Sequence, residues 1–175
     1  GVFQMKENKM IQNLIRLDKV KSQSIMTPRT VVATAPESMS LKEFYQDGKY
    51  KFYSRIPIYN DSEDYITGYV LRQTVLEKLA EDRFDMCLKD VARPILSFPE
   101  NSPVSTVWEQ MLERKEHISI LIDEYGCFWG IVTMEDIIET ALGFEIVDEK
   151  DSVTDMQKLA RDKWQKKLAE AKIND

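Results

Sequence analysis

One stretch of this sequence occurs twice, and the repeat constrains the fold more than any other feature. Arg55-Ile-Pro-Ile-Tyr-Asn-Asp61, followed by Gly68-Tyr-Val-Leu-Arg-Gln-Thr-Val-Leu-Glu77, is echoed by His117-Ile-Ser-Ile-Leu-Ile-Asp123 and Gly130-Ile-Val-Thr-Met-Glu-Asp-Ile-Ile-Glu139 at a constant offset of 62 residues. Upstream, Met26-Thr-Pro28 faces Ala92-Arg-Pro94 at an offset of 66. A unit of this length is one supersecondary motif, too small to bury its own apolar face, so the two copies must pack against each other.

Each copy follows the same grammar. A segment ending in proline leads to a β-rich piece, Thr30 to Ala33 in copy one and Ile95 to Phe98 in copy two. A capped helix follows. Ser40 with Glu43 has the spacing of a capping box and starts a helix over Leu41 to Asp47. Ser102 and Pro103 occupy the N-cap and first-turn positions of a helix over Val104 to Lys115. Val104, Val107, Trp108, Met111 and Leu112 share one face of that helix. Next comes a strand, Arg55 to Tyr59 or Ile118 to Ile122. A turn rich in Asp, Asn and Gly joins it to a second strand, Thr67 to Leu71 or Trp129 to Thr133. A closing helix, Thr74 to Glu81 or Met134 to Leu142, completes a β-α-β-β-α unit. The copies are expected over residues 21–85 and 86–147. A lead-in helix precedes them in residues 1–20, with Met10, Ile11, Leu14, Ile15 and Leu17 at helical spacing from Glu7 to Val20. Residues 148–175 hold a charged linker and a helix from Asp155 to Ile173 carrying Met156, Leu159, Trp164 and Leu168.

Composition narrows the function classes. Apolar residues make up 43% of the 175, enough for a packed interior, and the net charge is -6. An acidic chain offers no broad surface to a polyanion, which argues against nucleic acid as a partner. Cys87 and Cys127 lie in no CxxC pair and read as reduced thiols. A lone histidine, His117, excludes a multi-histidine zinc site. No run approaches the roughly 20 apolar residues of a membrane span, and no secretory signal is visible. A start at Gly1 rather than Met is expected either of a tag remnant or of a piece of a longer protein.

Three short segments carry chemistry. In Gly130-Ile-Val-Thr133-Met-Glu-Asp136 a strand ends on a hydroxyl, and a carboxylate follows on the first helical turn. Thr133 and Asp136 can then address one small volume, and an ionised Asp accepts the two hydrogen bonds of a vicinal diol, as ribose recognition requires. The same spacing is also a plain helix cap, and the two roles are compatible. In Tyr53-Ser54-Arg55-Ile56-Pro57, Ser54 and Arg55 supply a hydroxyl and a guanidinium suited to forked phosphate binding. The alternative is an ordinary solvated arginine. Lys49 and Lys51 add local positive charge. In Met26-Thr27-Pro28-Arg29, Pro28 disfavours helix at Thr27. Extended backbone there offers amide and carbonyl groups to a planar base flanked by Ile25 and Met26, or merely links two elements. Asp61, Asp123 and Glu124 read as turn residues, and Glu145, Asp148, Glu149 and Asp151 as a solvated acidic linker rather than a cation site.

Taken together these segments resemble the CBS-domain family, whose nucleotide signature Gly-h-h-Thr/Ser-x-x-Asp (h apolar) is matched by Gly130, Thr133 and Asp136. More narrowly, the chain is similar to the CorC/CNNM, hemolysin-like group of magnesium and cobalt transport proteins. The words carrying this are Ile25-Met-Thr-Pro-Arg29, Ser54-Arg-Ile-Pro-Ile-Tyr59, Ile122-Asp-Glu-Tyr-Gly126, Gly130 to Glu139 and Glu145 to Asp151, in order. The resemblance implies an α+β fold: tandem CBS domains, two β-α-β-β-α repeats, with flanking N- and C-terminal helices. It implies a regulatory module rather than an enzyme, on the cytoplasmic face of the membrane, partnered by a membrane domain of the same full-length protein and by a second copy in a homodimer.

The resemblance also implies one adenine-nucleotide cleft, for ATP or AMP, with Mg2+ on the phosphates if ATP is the ligand. Ile25, Met26 and Thr27 would serve the base, Ser54, Arg55 and Pro57 the phosphates, and Thr133 and Asp136 the ribose, with Tyr53 and Ile56 also in the nucleotide-binding set. In the pseudo-symmetric cleft Leu71 and Thr74 replace the ribose pair and His117-Ile-Ser119 replaces Arg-Ile-Pro, so that cleft is expected to be degenerate. The competing reading is a structural dimerisation module without nucleotide. A hydrolase is less well served: Cys127 has no visible base, His117 would lie in the degenerate cleft, and there is no Walker-type phosphate loop.

Overall fold

The computed structural model describes residues 2–147 and 153–173, and in it the two copies form two lobes that exchange their lead-in segments. In the first lobe β2 (Ala35–Pro36) runs parallel to β3 (Arg55–Tyr59), and β3 pairs antiparallel with β4 (Ile66–Leu71). In the second, β5 (Leu96–Pro99) runs parallel to β6 (Ile118–Ile122), which pairs antiparallel with β7 (Phe128–Thr133). The intervening helices are α2 (Leu41–Gln46) and α4 (Val104–Arg114), and the closing helices are α3 (Arg72–Ala80) and α5 (Met134–Val147). Each copy is therefore β-α-β-β-α. The parallel pairs demand a crossover helix, whereas the antiparallel pairs need only a turn.

The exchange of lead-ins joins the lobes. β1 (Thr27–Pro28), upstream of copy one, adds to the edge of copy two's sheet: Thr27 pairs with Ile131 and Pro28 with Gly130. In return, Arg93, upstream of copy two, pairs with Tyr69 of β4 through two backbone hydrogen bonds of 3.0 and 2.8 Å. The two repeat glycines stand at these crossings. A Cβ on Gly130 would lie 2.5 Å from the Thr27 carbonyl oxygen, and one on Gly68 would lie 2.7 Å from that of Arg93. Contact so close admits no side chain, which explains why both copies carry glycine there.

Two apolar cores result. Leu41, Phe44, Tyr50, Ile56, Ile58, Val70 and Val75 of copy one close around Leu88 from the second lead-in. Val104, Val107, Met111, Leu121, Val132 and Ile137 of copy two close around Leu17 from α1 (Val2–Leu17). Tyr50 stacks on Phe44 with ring centroids 4.7 Å apart, and its hydroxyl donates to the Thr34 carbonyl at 2.9 Å. Burial, with the nearby Asp47 carboxylate adding to it, pushes that phenol up to about 12.

Several local expectations change. Arg29–Val31 forms a 3-10 turn rather than strand, and pairing begins only at Ala35. Ser40 caps α2 by accepting from the Glu43 amide, as its spacing predicts. Ser102 does not cap α4: the cap residue is Pro103, and the first helical amide, Val104 N–H, donates instead to the Val20 carbonyl. Ser102 is held by its own carbonyl, which accepts from both the amide and the hydroxyl of Ser22. Leu112 is 51% exposed rather than buried with its helical neighbours. Ile11 and Ile15 of α1 are likewise exposed, the helix burying Leu17 and Asn13. The acidic residues Asp148, Glu149 and Asp151 lie outside the described residues, as do the side chains of Met10, Leu14, Glu145, Met156 and Leu159. Among the described residues, no three or more carboxylate, His or Cys side chains gather to hold a metal ion, and no helix is long and apolar enough to cross a membrane.

Candidate functional site

Between the lobes lies a cavity of about 550 Å3, within the size range usual for small-molecule sites. Strand alternation decides which residues reach it. Arg55 and Pro57 face the cavity, while Ile56 between them turns into the first core. Tyr53 and Ser54 join them from the segment entering β3, and Thr27 and Ile131 come from the paired β1 and β7. Thr133 lines the cavity at the end of β7. Six of the ten residues selected from sequence thus stand around one volume: Thr27, Tyr53, Ser54, Arg55, Pro57 and Thr133. Ile25 and Met26 sit behind the wall, packed against the second core. Among the described residues no carboxylate pairs with the Arg55 guanidinium, which leaves a cation available at the cavity wall. Arg29 is committed elsewhere: it donates to Asp64 at 2.8 Å and to the Phe128 carbonyl at 3.2 Å, tying the lobes together.

Asp136 stands just behind Thr133 and is 2% exposed. The pair forms a reciprocal cap on α5. The Asp136 amide donates to Thr133 Oγ1 at 3.2 Å, and the Thr133 amide donates to Asp136 Oδ2 at 3.0 Å. Burial alone pushes this carboxyl up. The ammonium groups of Lys163 and Lys167 and the Thr133 amide outweigh burial, and hold it below its ordinary range. In the pseudo-symmetric position Leu71 gives α3 no side-chain cap. The backbone nevertheless repeats, with β6 one residue off the 62-residue offset, so that His117 corresponds to Ser54 and Ile118 to Arg55: Arg72 N–H donates to Ser54 O at 2.9 Å, and Met134 N–H to His117 O at 3.0 Å.

Two features of the cavity were not expected. His117 and Ile118 line this same cavity rather than a separate degenerate cleft. The register explains it, since Ile118 pairs with Thr133 and brings the start of β6 alongside the end of β7. The second feature is α6 (Val153–Ile173), which supplies Trp164, Lys167, Leu168, Glu170 and Ala171 to the wall. Its lysines run to the buried carboxylate, Lys163 Nζ at 2.8 Å and Lys167 Nζ at 2.9 Å from Asp136 Oδ1. Lys163 also contacts Glu139. The alternation of Trp164, Lys167, Leu168 and Ala171 at three- and four-residue steps is visible in the sequence, but nothing local says which surface that stripe covers. A second recess of about 440 Å3 shares Phe52 and Tyr53 with the first and adds Gly48 and Lys49. Cys127 lies in the β6–β7 turn, where its amide donates to Asp123 Oδ1 at 2.9 Å, so Asp123 acts as the turn residue it resembles.

Known proteins match this arrangement. The family model for the CBS domain matches residues 88–143. UPF0053 protein sll1254 of Synechocystis is 34% identical over 165 residues, covering 94% of this chain and 47% of that protein. The magnesium and cobalt efflux protein CorC of Buchnera aphidicola (subspecies Baizongia pistaciae) is 31% identical over 142 residues, covering 81% of this chain and 50% of that one. The chain thus spans about half the length of these curated relatives. Among solved structures, the CBS domain of the bacterial CNNM/CorC family Mg2+ transporter in complex with ATP is similar, with a TM-score of 0.71 and 30% identity, over 79% of this chain and 98% of that one.

Proposed function

The chain belongs to the CBS-domain family, in its CNNM/CorC group, and from that premise we propose that it binds one adenine nucleotide between its repeats and regulates the membrane protein of which it is part. The observation that carries this is the inter-lobe cavity, where the Arg55 guanidinium, without a carboxylate partner among the described residues, the Ser54 and Thr133 hydroxyls and the extended Thr27 backbone stand around one volume of nucleotide size. The CNNM/CorC relative that binds ATP supports the choice of ligand class. Phosphates would meet Arg55 and Ser54, with Lys49 at the adjoining recess, and Mg2+ would ride on the phosphates of ATP. The ribose would meet Thr133 and Asp136. Binding regulates only if the nucleotide prefers one shape of the pair over another. The regulated activity would be transport or efflux of Mg2+ or Co2+ by a membrane domain, with this module on the cytoplasmic side.

A homodimer is part of the proposal. The mutually packed helices α1, α4 and α5 carry Ile11, Ile15, Leu112, Ile138 and Leu142, all 44–57% exposed, an apolar surface that a second copy would cover. The competing reading, a purely structural dimerisation module, differs in having no response to nucleotide.

The test compares parent and Arg55→Ala by equilibrium binding of ATP and AMP. Arg55 has no ion-pair partner among the described residues, so its removal should leave stability within about 0.5 kcal/mol. Affinity for ATP should fall about tenfold or more, the cost of about 1.5–3 kcal/mol for a charge-assisted bond. Unchanged binding in Arg55→Ala would remove the phosphate assignment.

A further inference from the structure

We propose that α6 is an internal competitor of the nucleotide: Lys163 and Lys167 hold the carboxylate that the ribose diol needs, while Trp164 and Leu168 wall the cavity, so ligand entry and α6 docking exclude each other. This rests on the nucleotide reading above and adds a regulator to the same site. Acceptor capacity at Asp136 sets the competition. A ribose diol needs two acceptor positions on Asp136, and ionised carboxylate oxygens offer about two each. Oδ1 already receives two ammonium groups, at 2.8 and 2.9 Å, and Oδ2 receives the Thr133 amide at 3.0 Å. The diol can be accepted only if at least one lysine leaves.

The wall argues the same way. α6 brings Lys167 as well as Glu170 to a cavity that also holds Arg55, so its charges offset, and its obstruction of the cavity is steric, through Trp164 and Leu168. The docked helix is also imperfectly satisfied. Among the described residues the buried indole N–H of Trp164 meets no acceptor, a cost to the docked state. A helix whose two lysines hold this carboxylate competes with a ligand that takes it, and linkage makes the effect reciprocal.

The experiment uses the full chain, with ATP and Mg2+ as the probe. One variant is Lys163→Gln with Lys167→Gln, and another, Trp164→Ala with Leu168→Ala, loosens the wall without touching the partners of Asp136. Thermal unfolding checks that each folds. Both variants should bind ATP more tightly than the parent, about 5- to 150-fold, the range usual for coupled sites. Saturating ATP should speed amide hydrogen exchange across residues 153–173 of the parent. Tighter binding in the variants together with faster exchange in the parent supports the competitor, and so does ATP binding by the variants alone. Unchanged or weaker binding in the variants, or slower exchange in α6 on adding ATP, overturns it and leaves the nucleotide site standing, with α6 as one of its walls. No ATP binding by the parent or either variant removes the nucleotide reading and the competitor with it.

Discussion

Asp136 carries one duty in the structure and is proposed for a second. Its spacing from Thr133 fits both a cap and a ribose acceptor, and the structure realises the cap with reciprocal bonds. Thr133→Val removes one hydroxyl acceptor and should weaken nucleotide binding by about 1 kcal/mol, several-fold, in a direct titration. Asp136→Ala should cost about 1.5–3 kcal/mol of binding and, separately, about 1 kcal/mol of stability through the lost cap. Melting curves and titrations of the two variants separate these effects. The pH dependence follows from the depressed carboxyl. Its contribution is complete above the unfolded value of about 3.9 and is lost as pH falls through the lower folded value. The Asp136–lysine attachment of α6 should therefore survive from neutrality to about pH 4 and fail only in stronger acid, as hydrogen exchange across α6 would report. Loss of the attachment near pH 6 would mean that another group holds the helix. Residue choice was legible where the chemistry was local: Thr133, Ser54 and Arg55 all reach the cavity. Ile56 was swept in with its neighbours, although the two-residue period of a strand turns it to the opposite face, into the core.

Among the elements, the strands and helices of the repeat stood out because alternation and turn residues mark them locally. What the sequence could not mark were the partners. β1 is two residues long and exists only because β7 offers it an edge. Gly130→Ala places a Cβ 2.5 Å from the Thr27 carbonyl oxygen, so it should separate β1 from β7 and destabilise by about 1–3 kcal/mol, as denaturant unfolding would read. Full retention of stability would mean that β1 is not fixed there. The cap of α4 failed as an expectation for the same reason: the Val20 carbonyl, distant in sequence, took the amide that Ser102 was expected to serve. Tyr50→Phe should cost about 1–3 kcal/mol, because the Thr34 carbonyl loses the phenol that satisfies it within the core.

The two-lobed molecule was legible as two packed copies, since neither copy can bury its face alone. The crossing of the lead-ins was not, because it depends on which sheet edge each short segment meets. Nor was the seat of α6, an amphipathic helix whose stripe fits any apolar surface until the cavity mouth is known. The same limit applies to the exposed residues on α1, α4 and α5. There the proposal is a homodimer, and Ile138→Asp with Leu142→Asp should convert dimer to monomer in sedimentation while the lobes stay folded, both side chains being 44–57% exposed. Unchanged mass would mean that this surface is not the interface.

Titration calorimetry with ATP, in the presence and absence of Mg2+, and with AMP, tests the central claim most directly. Saturable binding at one site per chain is expected, with about 2.7 kcal/mol of added stability when free ligand exceeds Kd a hundredfold. Dependence on Mg2+ would mark ATP as the ligand, and its absence with AMP binding would mark AMP. No heat and no thermal stabilisation at millimolar nucleotide, in the parent and in Lys163→Gln with Lys167→Gln alike, would contradict the account and leave Thr133 and Asp136 as a helix cap in a structural module.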